Sequence, residues 1–124
     1  MRKSAEARAS AINLKSMTVI YEITATVSAD LAKEYETYMR DTHIPDLLAT
    51  GFFSGAKLTF AADNRYRIQY EARDRAALDE YLNTEAARLR ADFLAHFPEG
   101  VDLTRENWEV LQIWSENQGQ DFLY

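Results

Sequence analysis

The chain contains no cysteine. This absence excludes a disulfide scaffold, a cysteine nucleophile, an iron–sulfur cluster and every zinc site built on thiolates. The two histidines are then the only side chains with an imidazole nitrogen that could bind a metal ion. A cysteine-free chain of this size is typical of a reducing compartment, and we expect a cytoplasmic protein.

Long apolar runs and phosphate-binding glycine patterns are also missing. No stretch of about 18 consecutive apolar residues occurs, which predicts no membrane span, and the N-terminus lacks the hydrophobic core of a secretion signal. None of the four glycines has the spacing of a dinucleotide fingerprint or a P-loop. We therefore expect neither a membrane partner nor a nucleotide site.

Basic residues are in the minority, with 14 Lys and Arg against 20 Asp and Glu. Residues 1–16 hold four basic residues and one acidic residue, so their net charge of +3 leaves −9 for the remainder. An acidic body repels a phosphate backbone, which argues against nucleic-acid binding. The composition of 1–16 indicates a basic leader or arm, or an upstream start with Met17 as a second initiator. We expect the folded domain over 17–114 and a tail over 115–124.

Four segments alternate between apolar and polar residues as strands do. The first begins at Met17, and its apolar members are Val19, Tyr21, Ile23, Ala25 and Val27. Segments at Phe52–Ala61 and Tyr66–Glu71 flank an Asp63–Asn64 turn, which predicts a hairpin. A fourth strand is predicted over Asn107–Trp114.

The first helix is predicted from about Asp30 to His43, on an apolar stripe that includes Tyr35 and Tyr38. Pro45 is expected to end it, because proline has no amide hydrogen to donate. Asp46–Gly51 is then one further turn that ends at a left-handed glycine.

The second helix is long and amphipathic. Asp74 is its predicted N-cap, Phe97 lies at the end of its apolar face, and a break is expected at Asn83–Thr84.

The resulting order, strand–helix–strand–strand–helix–strand, predicts an α+β protein of the ferredoxin-like βαββαβ type. In that fold a four-stranded antiparallel sheet carries two helices on one face and leaves the other face bare. We expect the bare face to hold Ile20, Glu22, Thr24, Lys57, Gln69 and Gln112. We also expect it to hold one row of the fourth strand, either Trp108, Val110 and Trp114 or Leu111 and Ile113.

Both rows of that fourth strand are apolar, so the bare face should need a cover. Two copies packed sheet to sheet with twofold symmetry would form a dimeric α/β barrel and supply that cover. The sequence therefore predicts a C2 homodimer, with the tail from Ser115 to Tyr124 crossing onto the partner.

Particular segments resemble a family of short bacterial proteins known only as a domain of unknown function: Ile20–Ile23, His43–Gly55, Gln69–Glu71 and Leu89–Asp92. The His-Ile-Pro…Gly string is the specific part, and the resemblance covers about Met17 to Trp114. It implies a relationship to ferredoxin-like dimeric α/β barrels and no established activity.

His43 is the candidate catalytic residue, because an imidazole titrates near neutrality and this one lies beside Tyr38. Together with Tyr21, these two residues are the predicted ligand-binding set. The alternative is structural: His43 would complement the helix dipole in a last turn, and the tyrosines would fill the core. His96 is expected to have a surface or capping role.

Metal and hydrolase sites are not predicted. The spacing of Asp41, His43 and Asp46 does not place three donors on one helical face. Ser54 with His43 and Asp46 lacks the nucleophile elbow that a catalytic triad needs. No cofactor is expected.

Three functions remain open. The first is a homodimer that binds an uncharged or weakly anionic small molecule in a pocket near the end of the first helix. The second is a cofactor-free oxygenase or isomerase, in which His43 moves a proton while tyrosines hold an enolate-like oxygen. The third is an interaction module whose acidic surface or strand edge docks another protein.

Overall fold

The computed structural model describes residues 17–116 of the chain. The predicted leader or arm over 1–16 lies outside the described residues, and so does most of the predicted tail over 115–124. The leader and the crossing of the tail onto a partner therefore stay predictions.

Four strands form one antiparallel sheet in the order β2-β3-β1-β4. Their bounds are β1 Val19–Val27, β2 Phe53–Ala61, β3 Arg65–Ala72 and β4 Val101–Glu109. The strand order, together with the helical connections after β1 and after β3, is the predicted ferredoxin-like βαββαβ topology.

The helical connections differ in regularity. The first consists of a 3₁₀ turn at Ala29–Leu31, α1 at Ala32–Tyr38, a π-helical turn at Met39–His43 and α2 at Ile44–Ala49. The second consists of α3 at Arg75–Thr84 and α4 at Ala86–His96. Both connections pack against the same face of the sheet and share one hydrophobic core with it.

The core follows the predicted alternation. In β1 the apolar row predicted from the sequence is buried along its length, as are Tyr66, Ile68 and Tyr70 of β3. The Asp74 side chain caps α3 by accepting a hydrogen bond from the Ala77 amide at 2.8 Å. The break predicted at Asn83–Thr84 lies where α3 ends.

Pro45 does not end the first helical connection, contrary to the prediction. Helical backbone continues to Ala49, and Gly51 follows with φ of 85°. The reason is the π turn, in which the Ile44 amide donates to the Met39 carbonyl five residues earlier. Pro45 then occupies the first turn of α2, where a missing amide hydrogen leaves no bond unmade.

The fourth strand was also predicted wrongly, because β4 ends at Glu109 rather than beginning at Asn107. The Val110 amide still donates to the Thr18 carbonyl at 2.9 Å, after which the chain leaves the sheet. On the helix side of β4 only Val101 and Leu103 are apolar, so this edge strand shows a weak alternation. The stronger alternation downstream belongs to a segment outside the sheet.

This correction changes the bare face, which the sequence predicted to be apolar in either register. Glu22, Thr24, Lys57 and Gln69 lie there as predicted, whereas Gln112 lies beyond the strand. The β4 residues on this face are Asp102, Thr104, Glu106 and Trp108, opposite Thr26, Thr24, Glu22 and Ile20 of β1. The face is therefore predominantly polar, and its single large aromatic among the described residues is Trp108.

Candidate functional site

A cavity of about 300 Å³ lies between the helices and the covered face of the sheet. Its lining comes from three strands and from both helical connections: Tyr21, Ile23, Tyr35, Met39, His43, Leu47, Ile68, Tyr81, Leu89, Arg90, Phe93, Leu94, Leu103 and Arg105. Most of these side chains are apolar, and the polar ones are few, which is the usual composition of a small-molecule site.

His43 reaches this cavity from the π turn. The imidazole is buried and packs against Tyr38 and Phe93, with ring centroids 5.9 and 5.4 Å apart. Single π turns inside helices are frequent at functional sites because the extra residue re-aims the side chains around it. The helix therefore continues past His43, and this residue is not in a last turn.

Burial lowers the pKa of His43 to about 4. The carboxylates of Asp46 and Asp92 act in the opposite direction, and the Arg105 guanidinium adds to the lowering. The imidazole is therefore neutral at pH 7. Its Nδ1 atom is buried and has no hydrogen-bond partner within residues 17–116. A neutral ring adds no charge to a helix dipole, so the alternative structural role loses its electrostatic basis.

Tyr21 enters the cavity from the centre of β1. Its hydroxyl accepts a hydrogen bond from Nη2 of Arg90 at 3.1 Å. The ring packs against Tyr81 and Phe53, with centroids 5.8 and 6.2 Å away. The structure thus brings Tyr21 and His43, two of the predicted residues, to one cavity.

Tyr38 is not among the residues that line the cavity. It is sandwiched between two imidazoles, with ring centroids 5.9 Å from His43 and 4.2 Å from His96. His96 is exposed at the end of α4, and its Nδ1 lies 3.3 Å from the Asp92 carbonyl oxygen. Tyr38 therefore supports the His43 ring, and His96 occupies the surface position expected for it.

Tyr35 was not singled out from the sequence as a ligand-binding residue. It projects from α1 into the lining, and its hydroxyl is buried without a hydrogen-bond partner in the described part of the chain. Burial raises the pKa of this phenol, so the hydroxyl keeps its proton. In the sequence it lies on the apolar stripe of the first helix, among the aromatic residues expected in the sheet–helix layer, where core filling and a place beside a ligand are both open.

Arg90 and Arg105 were also missed. Arg90 follows the buried Leu89 on α4, and Arg105 occupies an inward position of β4 opposite Ile23. An arginine in an inward position of a strand is a signal, but the wrong bounds for β4 concealed it. Both arginines are exposed, as is Leu94, so these three residues form the mouth of the cavity.

The alternative sites considered from the sequence do not assemble. The Ser54 hydroxyl donates to Oε1 of Glu71 at 3.0 Å, at an irregularity between β2 and β3, and does not line the cavity. No group of three His, Asp or Glu side chains within the described range is arranged to hold a metal ion.

A family model matches residues 18–111 of this sequence, which is most of its length. The family is a domain of unknown function, DUF4286. The chain belongs to this family. The match agrees with the resemblance found in the sequence, and no curated protein matches the chain.

Solved structures show the same fold at low sequence identity. A dimeric ferredoxin-like protein from an uncultured marine organism has a TM-score of 0.63 at 12% identity, over 79% of this chain and 99% of that one. A proposed antibiotic biosynthesis monooxygenase of Deinococcus radiodurans has a TM-score of 0.58 at 17% identity. The match covers 78% of this chain and 96% of that one. A conserved protein of Bacteroides thetaiotaomicron, named as a possible oxidoreductase, has a TM-score of 0.60 at 9% identity. The match covers 77% of this chain and 99% of that one.

These likenesses establish the ferredoxin-like fold of the DUF4286 chain. They carry no activity across, because fold and function are separable at such identities. None of the helices between residues 17 and 116 has the length and apolar character needed to cross a membrane.

Proposed function

We propose that this DUF4286 protein binds a small organic molecule in the cavity between its helices and its sheet. The observation that supports this most directly is the pair of buried polar atoms without partners in the lining, Nδ1 of His43 and the hydroxyl of Tyr35. Buried polar groups are almost always hydrogen-bonded, and an orphan costs about 1–3 kcal/mol. A bound molecule with polar atoms would supply the missing bonds.

The size and composition of the cavity agree with this function. A volume of about 300 Å³ lies at the lower end of the range for ligand pockets. The apolar walls can bury the body of an organic molecule, while Tyr21, Tyr35 and His43 supply the directional contacts. The predicted site is thereby extended by Tyr35, with Tyr38 in a supporting role.

A thermal-shift screen of small organic compounds tests the proposal. Compounds that bind should raise the melting temperature of the wild type, because a ligand that binds only the folded state stabilises it. The shift should shrink in His43→Ala and Tyr35→Phe proteins. It should also disappear in Leu94→Trp, which narrows the mouth at an exposed position.

His96→Gln is the matched control, because this second histidine lies outside the lining. A wild-type shift that persists in full in His43→Ala, Tyr35→Phe and Leu94→Trp would contradict binding in this cavity.

A second candidate is proton transfer at carbon, as in a cofactor-free isomerase or oxygenase. It is favoured by geometry: the unpartnered Nδ1 of His43 and the arginine-supported hydroxyl of Tyr21 belong to side chains that line the same cavity. His43 would remove a proton from an activated carbon, and Tyr21 with Arg90 would stabilise the enolate oxygen that forms.

Hydrogen–deuterium exchange at activated carbons of 1,3-diketones and hydroxyquinols in D₂O, followed by NMR, tests this candidate. Exchange faster than the buffer rate in the wild type, and lost in His43→Gln, is the expected result. Equal exchange rates in the two proteins would contradict a catalytic role for His43.

We further propose that the protein is a homodimer. Large apolar side chains are exposed at the end of β4 and just beyond it: Trp108, Leu111, Ile113 and Trp114 are 50–79% exposed. Several large apolar side chains exposed within one short segment are typical of an interface, and a second copy would cover them. The marine ferredoxin-like protein of the same fold is described as dimeric, which supports self-association.

Light scattering at micromolar concentration should give about twice the chain mass of 14.3 kDa. Ile113→Ser with Trp114→Ser should shift the mass toward the monomer. A wild-type monomer at all concentrations would contradict the dimer and favour the interaction-module hypothesis, in which another protein covers this segment. A cytoplasmic location stays a prediction from the lack of cysteine.

A further inference from the structure

The charged groups of the cavity lining all have one sign. Arg90 and Arg105 line the mouth, whereas no carboxylate belongs to the lining formed by the described residues. This contrasts with the chain as a whole, whose net charge is −6. A positive mouth on an acidic protein is therefore a local feature that the overall composition does not explain.

The Arg90 guanidinium makes few hydrogen bonds to the described part of the protein. Its one hydrogen bond within residues 17–116 goes to the neutral Tyr21 hydroxyl, and no carboxylate lies within ion-pair distance there. A guanidinium carries five N–H donors in a planar fork, so most of its capacity is left for another acceptor. Arg88, two residues earlier on α4, is held instead by Glu85 at 2.8 Å.

Arg105 approaches the same part of the cavity from β4 and likewise has no ion pair in the described part of the chain. Both arginines belong to the lining of the cavity, whereas Arg88 does not, although its positive charge also reaches the Tyr81 phenol. One helix and one edge strand therefore direct two cations toward one mouth.

Behind the mouth the walls are apolar. Leu47, Ile68 and Leu89 are almost fully buried there, and Phe93 adds an aromatic face. A ligand that suits both regions has an apolar body and a negative group at one end. Carboxylates fit the fork of a guanidinium with two parallel hydrogen bonds.

We propose that the ligand of this cavity is an apolar organic monocarboxylate, whose carboxylate is bound by Arg90 and Arg105 at the mouth and whose body lies among the apolar walls. This inference rests on the proposed small-molecule function and names its ligand class. It also sharpens the sequence-based expectation, which allowed an uncharged ligand.

A pair of probes that differ only in charge tests the inference. 2-Naphthoate and 2-naphthamide share one ring system, and benzoate and benzamide form a smaller pair. Titration calorimetry at pH 7.5 and low salt should show each carboxylate binding about tenfold more tightly than its amide, the usual order for a charge-assisted hydrogen bond. Raised salt should narrow the difference, because both arginines are exposed.

Arginine variants distinguish recognition of the carboxylate from binding of the apolar body in the cavity. Arg90→Gln and Arg105→Gln should each weaken the binding of the carboxylates by a larger factor than the binding of the amides, so that the difference within each pair shrinks. Arg88→Gln is the matched control on the same helix, outside the lining, and should keep the full preference. Melting temperatures of the ligand-free proteins verify that the exposed substitutions leave the fold intact.

Two results would overturn the inference in different ways. Equal affinity of the wild type for acid and amide, with both lost in Leu94→Trp, would contradict the anion preference and retain binding in the cavity. Failure of all four probes to bind would contradict the proposed function as well.

Discussion

The two faces of the sheet differ although they are built from alternate residues of the same strands. In β3, Ile68 is completely buried against the helices, while its neighbours Arg67 and Gln69 point to the bare face. In β1, Tyr21 meets the cavity while Glu22, the next residue, accepts a hydrogen bond from Gln69 at 2.9 Å. One step along a strand separates an aromatic core from a polar network.

This difference assigns separate tasks to the two faces. The covered face supplies the apolar burial that stabilises the fold, and it also contains the cavity with His43. The bare face carries cross-strand rows such as Lys57, Gln69, Glu22 and Glu106, in which both signs of charge occur. A polar face of this kind leaves no core side chain exposed, and Gln69 and Arg67 already contact Glu22 on it.

The largest expected contrast is between neighbouring residues of β3. Ile68→Ala should reduce the free energy of unfolding by about 2–5 kcal/mol, because it removes buried methyl groups and leaves a void. Arg67→Ala should reduce the free energy of unfolding by less than about 1 kcal/mol, because its side chain is 57% exposed and its Nε lies as far as 3.8 Å from Oε2 of Glu22. Urea unfolding at one protein concentration measures both. Equal losses would show that the bare face is as deeply buried as the covered one.

The next effect is a pH dependence that belongs to the covered face. His43 has a pKa of about 4 in the folded protein, against 6.5 for an unperturbed imidazole. As the pH falls from about 6.5 to 4, the His43 imidazole therefore becomes protonated in the unfolded state but stays neutral in the folded state. The contribution of His43 to the free energy of unfolding is therefore fully present above pH 6.5, and it should decline by about 3 kcal/mol as the pH falls from 6.5 to 4.

His43→Gln isolates this contribution. Its unfolding free energy should fall less steeply between pH 6.5 and 4 than that of the wild type, whereas His96→Gln should keep the wild-type slope. Parallel slopes in all three proteins would contradict the buried, neutral state of His43.

A smaller effect is expected for the polar network of the bare face. A double-mutant cycle of Glu22→Ala and Gln69→Ala should give a coupling of about 1 kcal/mol, because the hydrogen bond joins an amide to a carboxylate that is largely shielded from water. Glu22→Ala combined with Arg65→Ala is the control, since these two side chains share no contact within the described residues. Additive effects in both cycles would show that the network adds nothing to stability.

The smallest effect concerns two tyrosines of β3. Tyr70→Phe removes a buried hydroxyl without a partner in the described chain, so the free energy of unfolding should rise or stay within about 1 kcal/mol. Tyr66→Phe should instead lower it by about 1 kcal/mol, because the Tyr66 hydroxyl donates to Oε2 of Glu36 at 2.6 Å. Calorimetric melting of the two variants compares them. A loss in Tyr70→Phe as large as in Tyr66→Phe would indicate that Tyr70 has a partner after all.

Much of the fold was predictable because its signals are local. The alternation in β1 and β3, the Asp74 cap and the hairpin at Asp63–Asn64 each depend on residues a few positions apart. Part of the candidate site was predictable in the same way. His43 stood out by its chemistry and Tyr21 by its place in a predicted strand, and both line the cavity.

The failures occurred where local patterns and tertiary burial disagree. No residue of β4 is fully buried, so this strand needs little apolar alternation, and the predicted strand was displaced into the apolar segment that follows it. Pro45 would break the interior of an α-helix, but here a π turn precedes it, so Pro45 lies in the first turn of α2, where its missing amide hydrogen leaves no bond unmade. Neither outcome is encoded in the spacing of nearby residues.

The class of the protein follows from its residue pattern alone. Periods of two and 3.6 residues, in the order β-α-β-β-α-β, leave few arrangements in which every apolar face is buried. Which side chains meet depends on how the elements pack. Arg90 on α4 and Tyr21 on β1 are 69 residues apart and join at 3.1 Å, because the second helical connection lies across the central strand. Such long-range contacts depend on sheet order and helix packing together, which is why the cavity and its two arginines emerged from the fold and not from the sequence pattern.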